Sequence, residues 1–183
     1  LRQLREEFVD RTDAGYELTQ TGRRAANLLA SRSLQSGVER PFRSIDSTCG
    51  SCGSDAVEIG YFEGEGIVRC RSCHRQHTRF DFPPDAAKTS SVDDFVHAFA
   101  QRTRRYVELM EEAVCPFCSH TMRREVRPGA ATRSDGLPVV GECSACPAEI
   151  RAPVGLALLN RPRVRAAFSD AGMSLSETPF WEL

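Results

Sequence analysis

Hydrophobic positions along this chain fall into short alternating runs and longer helical stripes, separated by breaks rich in Gly, Pro and Ser. Leu1, Leu4 and Phe8 stand at i, i+3 and i+7, the spacing of an amphipathic helix tail. "FVDRT" and "YEL" flank "DAG", which predicts two short strands around a three-residue turn containing Gly15. Thr19 then caps a helix with Ala25, Leu28 and Leu29 on one face. Residues 33–45 are polar, with Ser and Pro, and read as a linker. "AVEIGYF" places Val57, Ile59 and Tyr61 on one face, "EGEG" turns, "IVRC" returns, and "TRFDF" alternates Phe80 with Phe82. This predicts a three-stranded ribbon over residues 46–84.

After a second break, "PPDAAKTSS", Ser91 caps a helix within residues 90–113, with Asp94 three positions on. Its apolar stripe is Val92, Phe95, Val96, Phe99, Tyr106, Val107 and Met110. Packing of this stripe on both flanking modules is the plainer reading. A homodimer seam through Val92, Phe99, Tyr106 and Ala113, seven residues apart, is the alternative. Residues 114–153 repeat the ribbon plan with "TMRREV", "LPVVGEC" and "AEIRAP" as strands. In residues 154–183, "VGLALLN" is a short apolar helix. Pro162 starts another, with Val164, Ala167 and Phe168 inward, and Gly172 ends it. The tail "SETPFWEL" offers Phe180 and Trp181 to a groove. The fold class expected is α+β.

The eight cysteines form four CxxC pairs with none left over. Cys49, Cys52, Cys70 and Cys73 make one set, its pairs separated by 17 residues; Cys115, Cys118, Cys143 and Cys146 make the other, separated by 24. Paired CxxC turns at such spacing point to structural zinc, because two tight turns at the tips of a folded sheet aim four sulfurs at one centre. Two Zn²⁺ ions are expected. Disulfides would need an oxidising compartment, and no export signal opens the chain; thioredoxin-like redox pairs would need a βαβ pattern, which is missing. Iron in a rubredoxin-like site suits the same ligands. A shell of four thiolates leaves no position for water, so metal catalysis is not expected. His74, His77, His97 and His120 then remain outside the ligand sets, with His74 the candidate for a hydrogen bond to a thiolate.

Composition changes this picture in three ways. At 40% apolar residues, small separately stapled modules fit better than one large core. The formal charge of −1 would fall to about −5 with two zinc–thiolate sites, so overall charge does not advertise nucleic-acid binding. The charge is unevenly spread: residues 1–45 hold eight Arg and six acids, the remainder sixteen basic and nineteen acidic residues. Within residues 69–79, "RCRSCHRQHTR", four Arg and two His stand without an acid. Arg69, Arg71 and Arg75 there are read as offsetting the thiolates, with a phosphate-binding face as the alternative. No apolar run is long enough to span a membrane, and a cytoplasmic location is expected. The chain opens without Met and reads as a fragment or a processed form.

Helix, hairpin, helix over residues 1–32 is the closing part of a winged-helix domain. "GYELTQTGRRAANLL" resembles the wing and last helix of ArsR-like winged-helix transcriptional regulators, closest to archaeal members with cysteine-pair zinc ribbons after the DNA-binding domain. "LLNRPRVRAAFSDAGMSLSETPFWEL" resembles their closing segment. The resemblance implies that residues 1–8 are the last turns of a recognition helix, the preceding helices being absent from this chain. It implies double-stranded DNA as partner, with Arg2 and Arg5 on that helix, Arg11 on the wing, and Arg23 and Arg24 at the next helix as contacts. The residues show no catalytic arrangement: no Ser-His-Asp order, paired carboxylates or phosphate loop has a supporting context. The expected function is therefore a non-enzymatic, zinc-stabilised DNA-binding regulator. A zinc-ribbon protein adaptor without its own DNA binding and a thiol or metal sensor are the alternatives.

Overall fold

The computed structural model describes residues 7–30, 37–128, 137–175 and 178–183. It is α+β, with three small antiparallel sheets and five helices among the described residues. The first sheet is a hairpin of β1 (Val9–Thr12) and β2 (Gly15–Leu18), followed by α1 (Gln20–Ala30). Thr12 pairs with Gly15, so the turn holds two residues, Asp13 and Ala14, and Gly15 opens β2 instead of sitting in a three-residue loop. Thr19 caps α1 as expected, its Oγ1 accepting from Gly22 N–H at 2.9 Å. The same hydroxyl donates to Glu7 O, tying the helix start to the segment before the hairpin. The expected inward face of α1 is not buried: Leu28 and Leu29 are 54% and 70% exposed.

The second sheet has four strands, in the order β3 (Arg40–Ser44), β4 (Val57–Phe62), β5 (Glu65–Cys70) and β6 (Gln76–Asp81). Residues 40–44, read from composition as linker, are an edge strand. Pro41 is tolerated there because an edge leaves one side of the backbone unpaired, and the β3–β4 register shifts between Arg40 and Arg43. β3 also explains why β4 is buried on both faces. Val57, Ile59 and Tyr61 form the inner face, as the alternation predicts. On the other face Phe42 of β3 closes over Gly60, where a Cβ would come within 2.9 Å of its ring. Phe42 stacks against Phe62 at 5.3 Å, and the Arg69 guanidinium lies 3.5 Å above it.

The break at residues 83–91 contains a helical turn, α2 (Pro84–Thr89), which Pro84 starts at its first position. Arg40 donates to Ala87 O and Ser90 O at its C-terminal end. α3 (Val92–Glu111) follows, with Ser91 Oγ accepting from Asp94 N–H at 3.1 Å. The third sheet is β7 (Met122–Val126), β8 (Pro138–Cys143) and β9 (Glu149–Pro153), as the strand pattern predicts. α4 (Val154–Leu158) and α5 (Pro162–Asp170) complete the chain, and Gly172 (φ 74°) ends α5. Val164 and Phe168 of α5 are half-buried, whereas Ala167 is exposed.

The two ribbons are not separate modules. At ~1.5 Å per residue α3 is about 30 Å long, and its stripe lies across both sheets. Phe95 and Phe99 meet Phe82, with ring centroids 5.1 and 6.0 Å away, and Phe99 sits over Gly66. Met110 sits over Gly141 of β8. One continuous core therefore runs from Val57 and Val68 through Phe95, Phe99 and Val107 to Met122 and Ile150. Of the heptad series, Phe99 is fully buried within its own chain, while Val92, Tyr106 and Ala113 are half-buried. No described helix is long and apolar enough to cross a membrane.

Candidate metal centres

Each cysteine pair sits in a tight turn with the same backbone hydrogen bond. The N–H of the first cysteine donates to the carbonyl five residues on: Cys49 to Ser54 (2.9 Å), Cys70 to Arg75 (2.8 Å), Cys115 to His120 (2.8 Å) and Cys143 to Ala148 (3.0 Å). In three turns the residue after the second cysteine takes a left-handed conformation: Gly53 (φ 69°), His74 (φ 61°) and Ser119 (φ 62°). The fourth has Pro147 there, whose ring excludes positive φ.

These turns bring each set together: Cys49, Cys52, Cys70 and Cys73 have all sulfurs within 4.8 Å of one another, as do Cys115, Cys118, Cys143 and Cys146. Four sulfurs about 2.3 Å from one ion would stand roughly 3.8 Å apart at the corners of a tetrahedron. The structure has Cys49–Cys73 and Cys52–Cys70 both at 3.8 Å, Cys115–Cys146 at 3.7 Å and Cys118–Cys143 at 3.4 Å. Both sets fit a tetrahedral divalent ion. Neither is a disulfide pair; all eight thiols are free.

The thiols divide within each set. Burial disfavours the Cys70 thiolate, but donation from Ser54 and from the Cys73 and Ser72 backbone outweighs it and brings Cys70 down to about 6. Cys73 has a favourable contact from the Arg75 backbone, yet burial and three neighbouring sulfurs push it up to about 11. In the second set the Ala145 N–H, 3.4 Å from Cys143 Sγ, leads the effects that lower Cys143 to about 6. Cys118 accepts from the His120 backbone, but burial and the other sulfurs push it to about 12. Four sulfurs this close cannot all ionise without a cation between them. A bound divalent ion removes that repulsion and takes all four as thiolates.

Two contacts at the first set were not read from the sequence. Ser54 Oγ lies 3.3 Å from Cys52 Sγ and 3.4 Å from Cys70 Sγ, bridging the two turns. His77, not His74, approaches a ligand, with Nε2 3.4 Å from Cys49 Sγ. His74 is occupied with the left-handed turn position, while His77 falls at the β5–β6 register irregularity between Gln76 and Thr78, which takes it out of the outward alternation of Arg79 and Asp81. Burial, then the nearby Arg75 charge, lower the basicity of His77. The arginine run around this set does not act as one face. Arg69 pairs with the buried Glu58 at 2.7 Å, and Arg79 pairs with Glu63 and Glu65, so those charges go to carboxylates instead of to sulfur.

Of the residues expected to contact DNA, Arg2 and Arg5 lie outside the described residues. Arg11 is exposed on β1 opposite Tyr16, and Arg23 and Arg24 are exposed near the start of α1.

Residues 46–183 match the family described as a domain of unknown function, DUF7351. The chain belongs to this family. The matched region begins three residues before Cys49 and contains both cysteine sets, α3 and the C-terminal tail, and so most of the continuous core, of which β3 and Ile45 lie before it. The β1–β2 hairpin and α1 precede it. No curated protein and no solved structure matches the chain.

Proposed function

We propose that this DUF7351 chain is a DNA-binding transcriptional regulator whose C-terminal region is held in shape by two structural Zn²⁺ ions. The observation that carries the zinc assignment is the sulfur geometry, with four thiols per set at tetrahedral spacing and no position left for water. The DNA-binding reading rests on residues 7–30. A two-residue hairpin carrying Arg11 leads through the Thr19 cap into α1, where Arg23 and Arg24 are exposed. That is the order of wing and last helix in a winged-helix domain, and arginines so placed reach a minor groove and adjacent phosphates. The ArsR-like affiliation, a cytoplasmic location and the absence of catalysis belong to the same proposal.

Fluorescence anisotropy with a labelled duplex tests it. The zinc-loaded chain binds duplex DNA at 50 mM salt, and affinity falls steeply by 200 mM as counterions are released. The triple variant Arg11→Ala, Arg23→Ala, Arg24→Ala flattens that salt dependence by about three contacts. No binding at 50 mM salt, or an unchanged slope in the variant, would overturn the reading. Metal analysis of the purified chain tests the zinc assignment, and a visible absorption band would reassign the sites to iron.

A further inference from the structure

A cleft of about 310 Å³ opens where the first cysteine turn, α4 and the C-terminal tail converge. Leu156 and Leu159 at α4, with Phe180 and Trp181 of the tail, form its apolar walls. Arg75 and His77, at the start of β6, form its polar side, and Leu183 at the end of the tail also lines it. Gly155 also borders it, and a Cβ at that position would meet no heavy atom within 4 Å. Small-molecule sites span roughly 300–1,000 Å³, mostly apolar with a few placed polar groups, and this cleft stands at their lower end.

We propose that the cleft binds a small apolar carboxylate, its ring or chain against Leu156, Leu159, Phe180 and Trp181 and its carboxylate on Arg75. Arg75 already has a partner in the fold. A guanidinium carries five N–H donors in a planar fork, so it accommodates a further carboxylate oxygen. The cleft floor includes Gly50 and Ser51, the two residues between Cys49 and Cys52. Ligand binding is therefore linked to metal at the first set, because the turn that holds two of its sulfurs also shapes the cleft. This site is independent of the DNA-binding reading and goes beyond it.

Trp181 is the chain's one tryptophan and lines the cleft, so its emission reports occupancy directly. The zinc-loaded full chain is titrated with sodium benzoate, with benzyl alcohol as the uncharged analogue and acetate as the head group alone. Benzoate gives a saturable change in Trp181 emission, and the other two bind at least tenfold more weakly. Gly155→Phe fills the cleft and abolishes the response. Arg75→Gln, at a half-buried position outside the hydrophobic core, reduces benzoate to the level of benzyl alcohol. Far-UV circular dichroism and zinc content confirm that both variants are folded. A non-saturable benzoate response, or one unchanged in folded Gly155→Phe, overturns the site. Equal binding of benzoate and benzyl alcohol to the unmodified chain overturns the carboxylate.

Discussion

The indole Nε1–H of Trp181 donates to Ser47 Oγ across 2.9 Å, joining residues 134 positions apart. Ser47 in turn donates to the Glu182 carboxylate. Both Trp181 and Ser47 are buried, and the backbone at Trp181 and Glu182 passes so close to Gly50 that a Cβ there would stand 3.0–3.3 Å away. The tail is thus seated on the first cysteine turn. Arg104, half-buried on α3, holds it from the other side by donating to Leu175 O and Thr178 O.

Removing the anchor should therefore cost more than a tail residue ordinarily does. Trp181→Ala is expected to lose about 3–5 kcal/mol, the range for deleting a buried tryptophan. Ser47→Ala should lose about 1 kcal/mol, for one hydrogen bond with its partners left buried. Urea denaturation of the zinc-loaded chain measures both. A loss below 1 kcal/mol for Trp181→Ala would mean the tail is not part of the folded unit.

Metal removal should dismantle residues 46–183. Chelation is expected to diminish the far-UV circular dichroism and shift Trp181 emission to the red, because much of the free energy that orders such turns comes with the metal. The exposed ligands give the sharper test. Cys52 and Cys73 are exposed, and a substitution at such positions normally falls within about ±0.5 kcal/mol. Cys52→Ser should instead cost several kcal/mol, and should expose Trp181 more than Cys118→Ser does. A neutral Cys52→Ser would remove the case for metal at the first set.

The passage of α3 across two glycines makes a packing prediction. A Cβ on Gly66 would stand 2.4 Å from the Phe99 ring, and one on Gly141 would stand 2.5 Å from Met110 Cγ. Gly66→Ala is expected to destabilise by about 1–3 kcal/mol through overpacking. Phe99→Leu introduced with it should recover part of that loss, the sign of direct coupling. Additive losses in the double-mutant cycle would contradict the contact.

Alkaline pH should expose the tyrosines of the core. Burial, then the Asp81 charge, raise Tyr61 above its ordinary value. Burial also raises Tyr106, against the opposing Arg102 charge. A raised folded-state pKa means that the stabilisation is fully present below the unfolded value of about 10 and is lost as pH rises through the folded value. Tyr61→Phe should cost about 1 kcal/mol at pH 7, since its hydroxyl donates to Phe82 O at 3.0 Å. Its stability should then decline less steeply than that of the unmodified chain above pH 10. Parallel decline in both, followed by urea denaturation at each pH, would show that Tyr61 does not titrate with unfolding.

What could be read in advance was local. The inner face of β4, the Phe80–Phe82 alternation, the Ser91 and Thr19 caps and the three strands of the second ribbon follow from spacing alone. Each is decided by neighbours a few residues away. β3 was missed because Phe42 shows its apolar role only when Gly60 and Phe62 lie beside it. Likewise α2 was hidden in a Pro- and Ser-rich break, since a single helical turn has no room for a periodic signal. His77 was passed over for His74 because nearness to Cys73 along the chain is not nearness to a sulfur.

By itself the sequence determined which eight residues belong to the two metal sets, since a CxxC turn closes by its own backbone hydrogen bonds and needs nothing distant. Only the tertiary structure decided that the two ribbons share one core. That outcome depends on α3 being long enough to reach both sheets and on Gly66 and Gly141 letting it approach. It also decided that the tail returns to Ser47 and Gly50, a contact whose partners stand more than a hundred residues apart and leave no periodic trace between them.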